Sequence, residues 1–79
     1  MALLKKDKDI KESFIYGGYV ILRKLRRAKG GRVSFYDISA ELAKEGIIHY
    51  RQQFFCLMFL YSCGIIVFKE PYIELSHAA

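Results

Sequence analysis

The chain contains no asparagine and no tryptophan, and only two glutamines, Gln52 and Gln53. Depletion of heat-labile amides is a trend of thermophile proteins, so a hot-environment source is expected. Cysteine is equally scarce. Cys56 and Cys63 are the only two, and seven residues of helix would hold their backbones about 10 Å apart, too far to bridge. They are expected as buried thiols of a cytoplasmic protein, with a bond between two chains as the other arrangement. Charge is missing throughout residues 54–68, FFCLMFLYSCGIIVF. As one helix that run would extend about 22 Å, short of the roughly 30 Å hydrocarbon core of a bilayer. Gly64, followed by β-branched residues, also breaks it, so no membrane span is expected. The start, MALLKKDKDIKE, turns charged before any apolar segment develops and is not expected to act as a signal peptide.

Signatures of chemistry are also lacking. His49, Cys56 and Cys63 recur every seven residues, but spacings of about 10 Å prevent one zinc ion from gathering them at bond lengths near 2.0–2.3 Å. There is no phosphate-cradling glycine motif, no pair of acids in an apolar setting and no Ser/His/Asp set. No metal, cofactor or small-molecule ligand is expected, and the chain does not read as an enzyme.

What is present is apolar and basic. An apolar fraction of 53% with 15% aromatics gives ample surface to bury, which excludes a disordered tail. At 79 residues the chain makes one small domain, near the size where a single core only just suffices. Self-association or high helix content would help. A net charge of +5 and a pI near 9.4 favour an anionic partner, most commonly nucleic acid.

Residues 1–8 read as a flexible arm, 9–76 as a single domain and 77–79 as a tail. From Asp9 a helical pattern runs to about Lys29, with Ile10, Phe14, Ile21, Leu25 and Ala28 on one face. Tyr16, Tyr19 and Val20 lie opposite, beside Arg23 and Arg27, on a side too apolar to be only a solvated face. The adjacent Gly17 and Gly18 each cost a helix about 1 kcal/mol relative to alanine. Either the helix starts effectively at Gly18 or the glycines permit the close approach of another backbone, and one helix with a kink is expected. Gly30-Gly31 ends this helix. A short strand, Arg32 to Ser34, leads into a capping-box pattern, Ser34-Phe35-Tyr36-Asp37. A second helix is predicted from Phe35 to Glu45, burying Phe35, Ile38 and Leu42, exposing Tyr36, Glu41 and Lys44, and stopping at Gly46. The third helix is predicted from Tyr50 to Ser62. After Gly64 the period changes to two, and IIVFKE and YIELS read as a hairpin about Pro71.

The predicted class is mainly α with a small β-hairpin, in the order helix, strand, helix, helix, strand, strand. In this order the chain resembles the winged helix-turn-helix DNA-binding family from about Tyr16 to Ser76. The likeness is closest in GGRVSFYDISAELAKEGI, where a strand feeds a helix, and in SCGIIVF, where a glycine leads into the wing. Small regulators of archaea and of their viruses and plasmids are the most similar in size and composition. The resemblance implies binding of double-stranded DNA by a homodimer, with the third helix in the major groove and the wing on the backbone.

On a helical projection of the third helix, Tyr50, Phe54, Leu57, Leu60 and Tyr61 share the side assigned to the core. Arg51, Gln52, Phe55, Phe59 and Ser62 share the other. Arginine pairs with guanine and glutamine with adenine, so Arg51 and Gln52, with His49, Tyr50 and Gln53 beside them, are the expected DNA-reading residues. Arg32, Ser34, Tyr36 and Lys69 are the expected backbone contacts. The run RKLRRAKGGR, Arg23 to Arg32, reads either as cations complementing a helix C-terminus or as phosphate contacts. Phe55 and Phe59 need a cover, and with Tyr16, Tyr19 and Val20 they form the expected dimer interface. The leading expectation is thus a dimeric transcriptional regulator in the cytoplasm, the host's if the source is viral. The alternative is a winged-helix module for protein–protein assembly without DNA binding, because the third helix carries a single cation.

Overall fold

A computed structural model describes residues 2–76, and the side chains of residues 14–76. The chain is an α+β fold of three helices and one antiparallel sheet. Helix α1 (Ala2–Arg27) is followed by a single 3-10 turn (Lys29–Gly31), β1 (Arg32–Ser34), α2 (Phe35–Lys44), α3 (Tyr50–Ser62), β2 (Ile66–Lys69) and β3 (Tyr72–Leu75). The predicted element order therefore stands, and the bounds of α2 and α3 agree to within a residue. Helix α1 starts at Ala2 rather than Asp9, so residues 2–8 are helical; their side chains, and the tail 77–79, lie outside the described residues.

The two glycines of α1 do not interrupt it. They admit α3 instead. A methyl group on Gly17 would collide with Sγ of Cys56 and sit 3.2 Å from Cδ1 of Ile47, and one on Gly18 would meet Cδ2 of Leu60 at 3.3 Å. The backbone of α1 thus lies directly against Cys56 and Leu60, both fully buried. Close approach offsets the propensity that two glycines cost a helix.

Helices α2 and α3 end in the same way. Gly46 and Gly64 take φ of +90° and +75°, a region that side chains disfavour. After α2, Gly46 N donates to Ala43 O at 3.1 Å and Ile47 N to Leu42 O at 2.9 Å; after α3, Gly64 N donates to Tyr61 O and Ile65 N to Leu60 O, both at 3.0 Å. This pairing satisfies the last carbonyls and folds an isoleucine back over the buried leucine three residues before the cap. At its start α2 is capped by Ser34, whose Oγ accepts from Asp37 N at 3.1 Å.

The sheet order is β1-β3-β2, with Val33 opposite Ile73 and Phe68 opposite Ile73 on its two sides. Val33, Ile66 and Ile73 point inward against Ile21, Leu25, Ile38, Leu42 and Leu60, which are all buried. Each such aliphatic side chain contributes about 1.5–3 kcal/mol on burial. The hairpin turn is tied to α2, since Phe35 N donates to Pro71 O at 3.0 Å. Residues 54–68, uncharged throughout, are divided between α3 and β2, and no helix of the described residues is long and apolar enough to cross a membrane.

Candidate interaction surface

The buried side of α3 consists of Gln53, Cys56, Leu57 and Leu60. It is turned from the side the apolar pattern picked out. Tyr50, Phe54 and Tyr61, expected in the core, are exposed at 82%, 57% and 47%. The reason is that α3 is apolar on nearly every side, so its pattern gives no preferred direction. The close fit to Gly17 and Gly18 of α1 decides it.

Gln53, expected at a DNA base, is only 5% exposed. Its Oε1 accepts from Ser39 Oγ at 2.7 Å, and its Nε2 donates to Ile47 O at 2.8 Å and Ser39 O at 3.5 Å. Its amide is therefore used up in binding α3 to α2 and to the turn between them, and it cannot read a base. Val20, expected at a dimer interface, is fully buried and belongs to the core. Cys63, expected buried, is exposed, whereas burial pushes the Cys56 thiol up.

The remaining candidates are accessible. His49, at the cap of α3, makes no side-chain capping bond, Arg51 is exposed and Gln52 is half-buried. Tyr36 stands out at 81% exposure. Lys69, at the end of β2, is exposed. Arg32 lies over the Tyr72 ring at 4.6 Å and 3.9 Å from Glu74. Ser34 is occupied as a cap.

Part of the basic run is neutralised within the fold. Arg23 Nη2 is 2.9 Å from Glu45 Oε1 and 3.6 Å from Glu41, while Lys24 is 3.8 Å from Glu41. Tyr16 donates to Glu45 Oε1 at 3.0 Å, and Tyr19 lies under the Arg23 guanidinium. The Arg23 hydrogen bond, and after it that of Tyr16, holds the Glu45 carboxyl below its usual value, while Glu45 raises the Tyr16 phenol. Tyr16 and Tyr19 thus stand at a polar contact between α1 and the end of α2. Arg26, Arg27 and Lys29 are exposed and make no ion pair among the described residues.

Aromatic side chains dominate the outer side of α3. Phe14 of α1 packs edge-on to Phe55 at 5.7 Å, and Phe55 lies 6.0 Å from Phe54. Phe59, 43% exposed, lies one turn beyond Phe55. On the other side of Phe54 an apolar groove of about 400 Å³ separates α3 from α2, lined by Phe35, Ile38, Leu42, Tyr50, Phe54 and Leu57. Phe35 stacks on Phe68 at 5.8 Å, and Phe68 meets Tyr61 at 5.0 Å. The result is one continuous apolar face from α1 across α3 to the hairpin. Comparison with protein-family models, curated proteins and solved structures gives no match to this chain.

Proposed function

We propose that the chain is a winged-helix domain used as a protein–protein assembly module, with the aromatic side of α3 as its interface. The element order and the β1-β3-β2 sheet are compatible with a winged helix, β2 and β3 forming the wing. The observation that carries the functional reading is the make-up of α3. Across Tyr50–Ser62 it has a single charged residue, Arg51, and it exposes Tyr50, Phe54, Phe55, Phe59 and Tyr61. Interface centres are depleted in charge and enriched in aromatic residues, and a lone small domain seldom leaves such a surface in water. A tagged chain recovered from its source cell should retain the same partner with and without nuclease treatment and lose it in Phe55→Ser/Phe59→Ser. Recovery that depends on intact nucleic acid would refute the reading.

A second reading is supported by the cations. Arg51 and Gln52 remain accessible at the start of α3, and Arg26, Arg27 and Lys29 are open to an anion. They fit a dimeric regulator of double-stranded DNA whose affinity falls steeply with salt and falls further in Arg51→Ala. Against it, the polar depression beside Lys24, Arg27 and Arg32 also holds Asp37 and Glu41, whose carboxylates oppose a phosphate.

A further inference from the structure

The side of α3 that lies beside α1 carries a pattern of its own. Arg51, Phe55, Phe59 and Cys63 follow one another at intervals of four residues, which sets them along one ridge of the helix, and all four are exposed. Phe14, Gly18, Leu22 and Arg26 form a ridge of α1 at the same spacing. The two ridges are neighbours. Phe14 and Phe55 stand 5.7 Å apart between ring centroids, and a methyl group on Gly18 would lie 3.6 Å from Cδ2 of Phe59. A step of four residues on one helix thus matches a step of four on the other, so α1 and α3 run in the same direction here and their ridges share one surface. Both helices bond their backbone groups internally, and the surface offers an occupant apolar contact but no strand edge. A helix, which satisfies its own backbone and can present one apolar side, fits such a surface.

Charge stands at the two ends of this surface and is absent between them. Taking Phe14 and Phe55 as one level, Arg51 comes four residues before it and Arg26 twelve residues after it, about 24 Å apart at the helical rise per residue. Neither arginine makes an ion pair among the described residues. At the Arg51 end the backbone dipole of α3 adds to the positive charge. At the Arg26 end the dipole of α1 opposes it, but Arg27 and Lys29, also exposed and without an ion pair, outweigh that half charge.

This layout argues against a second copy as the cover. Two copies set face to face about an axis along the helices bring Arg51 to Arg51 and Arg26 to Arg26, and about an axis across them bring Arg51 to Arg26 twice. Either pairing joins like charges at both ends. A crossed pair keeps the ends apart but covers only the middle of the ridges. The exposed acids of the described residues, Asp37 and Glu70, lie at the start of α2 and at the hairpin tip, away from both ridges.

We infer that the paired ridges of α1 and α3 receive a helix of a different protein, apolar where it crosses Phe55 and Phe59 and acidic at both ends of the contact, one acid meeting Arg51 and the other Arg26. The inference rests on the assembly reading above and names the partner's chemistry. A displayed library of peptides of roughly 24 residues, long enough to span both arginines as a helix, is selected on the full chain; its members are apolar at i, i+4, i+7 and i+11 through the middle and random on both flanks. Enriched peptides are expected to carry Asp or Glu on both flanks. Selection on Arg51→Glu should lose the acid from one flank only, and selection on Arg26→Glu/Arg27→Glu from the other. An enriched peptide, read by fluorescence anisotropy, should bind about tenfold or more weakly to each of these variants and to Phe55→Ser/Phe59→Ser. The three arginines are exposed and unpaired among the described residues, so their variants should fold, and circular dichroism verifies it. No enrichment, acids on one flank or neither, or indifference to the arginine reversals would each overturn the inference. So would a dimer on sedimentation that dissociates in Phe55→Ser/Phe59→Ser, or duplex DNA that is bound through the same arginines while no peptide is enriched. A partner captured from the source cell that is lost in Phe55→Ser/Phe59→Ser but kept in both arginine variants would sink the acidic ends and leave the assembly module standing.

Discussion

Helices α2 and α3 are neighbours of similar length, each ended by a glycine and covered by an isoleucine, yet they stand in the fold differently. α2 buries Ile38 and Leu42 and places Asp37, Glu41 and Lys44 elsewhere, so its pattern has one apolar stripe and one polar side. That polar side is used, because Glu41 and the cap residue Glu45 pair with Arg23 of α1. α3 has no polar side. Its inner residues find α1 and the sheet, while Phe54, Phe55 and Phe59 find only partial cover within the chain. The amphipathic helix has its inner stripe, Ile38 and Leu42, and its acids Glu41 and Glu45 engaged within its own domain. The helix that is apolar on nearly every side leaves Phe54, Phe55 and Phe59 partly open to solvent.

The comparison is broken most directly at the core. Leu42 of α2 and Leu60 of α3 are 0% and 2% exposed. Leu42→Ala and Leu60→Ala should each cost about 2–5 kcal/mol in urea unfolding, through lost burial and the cavity left behind. Tyr50→Ser, on the outer side of α3, should cost only about 0.5 kcal/mol in the isolated chain. If Tyr50→Ser destabilised the isolated chain as much as Leu60→Ala, the outer side of α3 would be core and the contrast would fail.

The same contrast explains what the amino-acid sequence disclosed. The bounds of α2, α3 and the hairpin were legible because local signals set them: Ser34 as a cap, Gly46 and Gly64 as stops, and a period of two after Gly64. The inward side of α2 was legible at Ile38 and Leu42, which form a stripe, but Phe35, expected buried with them, is exposed beside Phe68, and Glu41, expected exposed, is partly buried against Arg23. The inward side of α3 was not, because Tyr50, Phe54 and Tyr61 are as apolar as Cys56, Leu57 and Leu60. What chose between them is tertiary, the room that Gly17 and Gly18 leave beside Cys56 and Leu60. Of the expected contact residues, Arg51, Tyr50 and Tyr36 are accessible, but Gln53 and Val20 are not. A pair of glutamines at a helix start does not reveal that one of them will meet Ser39 and the Ile47 carbonyl.

Gln53 supplies the next test, because it is the one polar residue on the inner side of α3. Gln53→Leu keeps the volume but strips partners from Ser39 Oγ and the Ile47 carbonyl, which should cost about 1–3 kcal/mol in chemical denaturation. Adding Ser39→Ala should recover part of that loss, since one of the stranded groups is then gone. A stable Gln53→Leu with altered affinity for duplex DNA would instead restore the residue to the outer surface.

The smallest effect separates the polar side of α2 from the rest. Glu45 is held below its ordinary value, near 4.5, first by the hydrogen bond from Arg23 and then by that from Tyr16. A depressed carboxyl adds stability that is fully present above the unfolded value and is lost as pH falls through the folded one. The wild type should therefore lose urea resistance as pH drops below about 4.5, and Glu45→Gln should lose less over the same range while starting from a lower midpoint at neutral pH. Added salt should shrink the difference, since the pair is partly open to water. The affinity of a partner for α3 should not follow this profile, because the Arg23–Glu45 contact closes α2 onto α1 and leaves the groove residues Phe54 and Leu57 untouched. Equal acid slopes for wild type and variant would remove Glu45 as the tie. A partner affinity that tracked the Glu45 titration would show that the polar side of α2 and the aromatic side of α3 are one coupled surface rather than two.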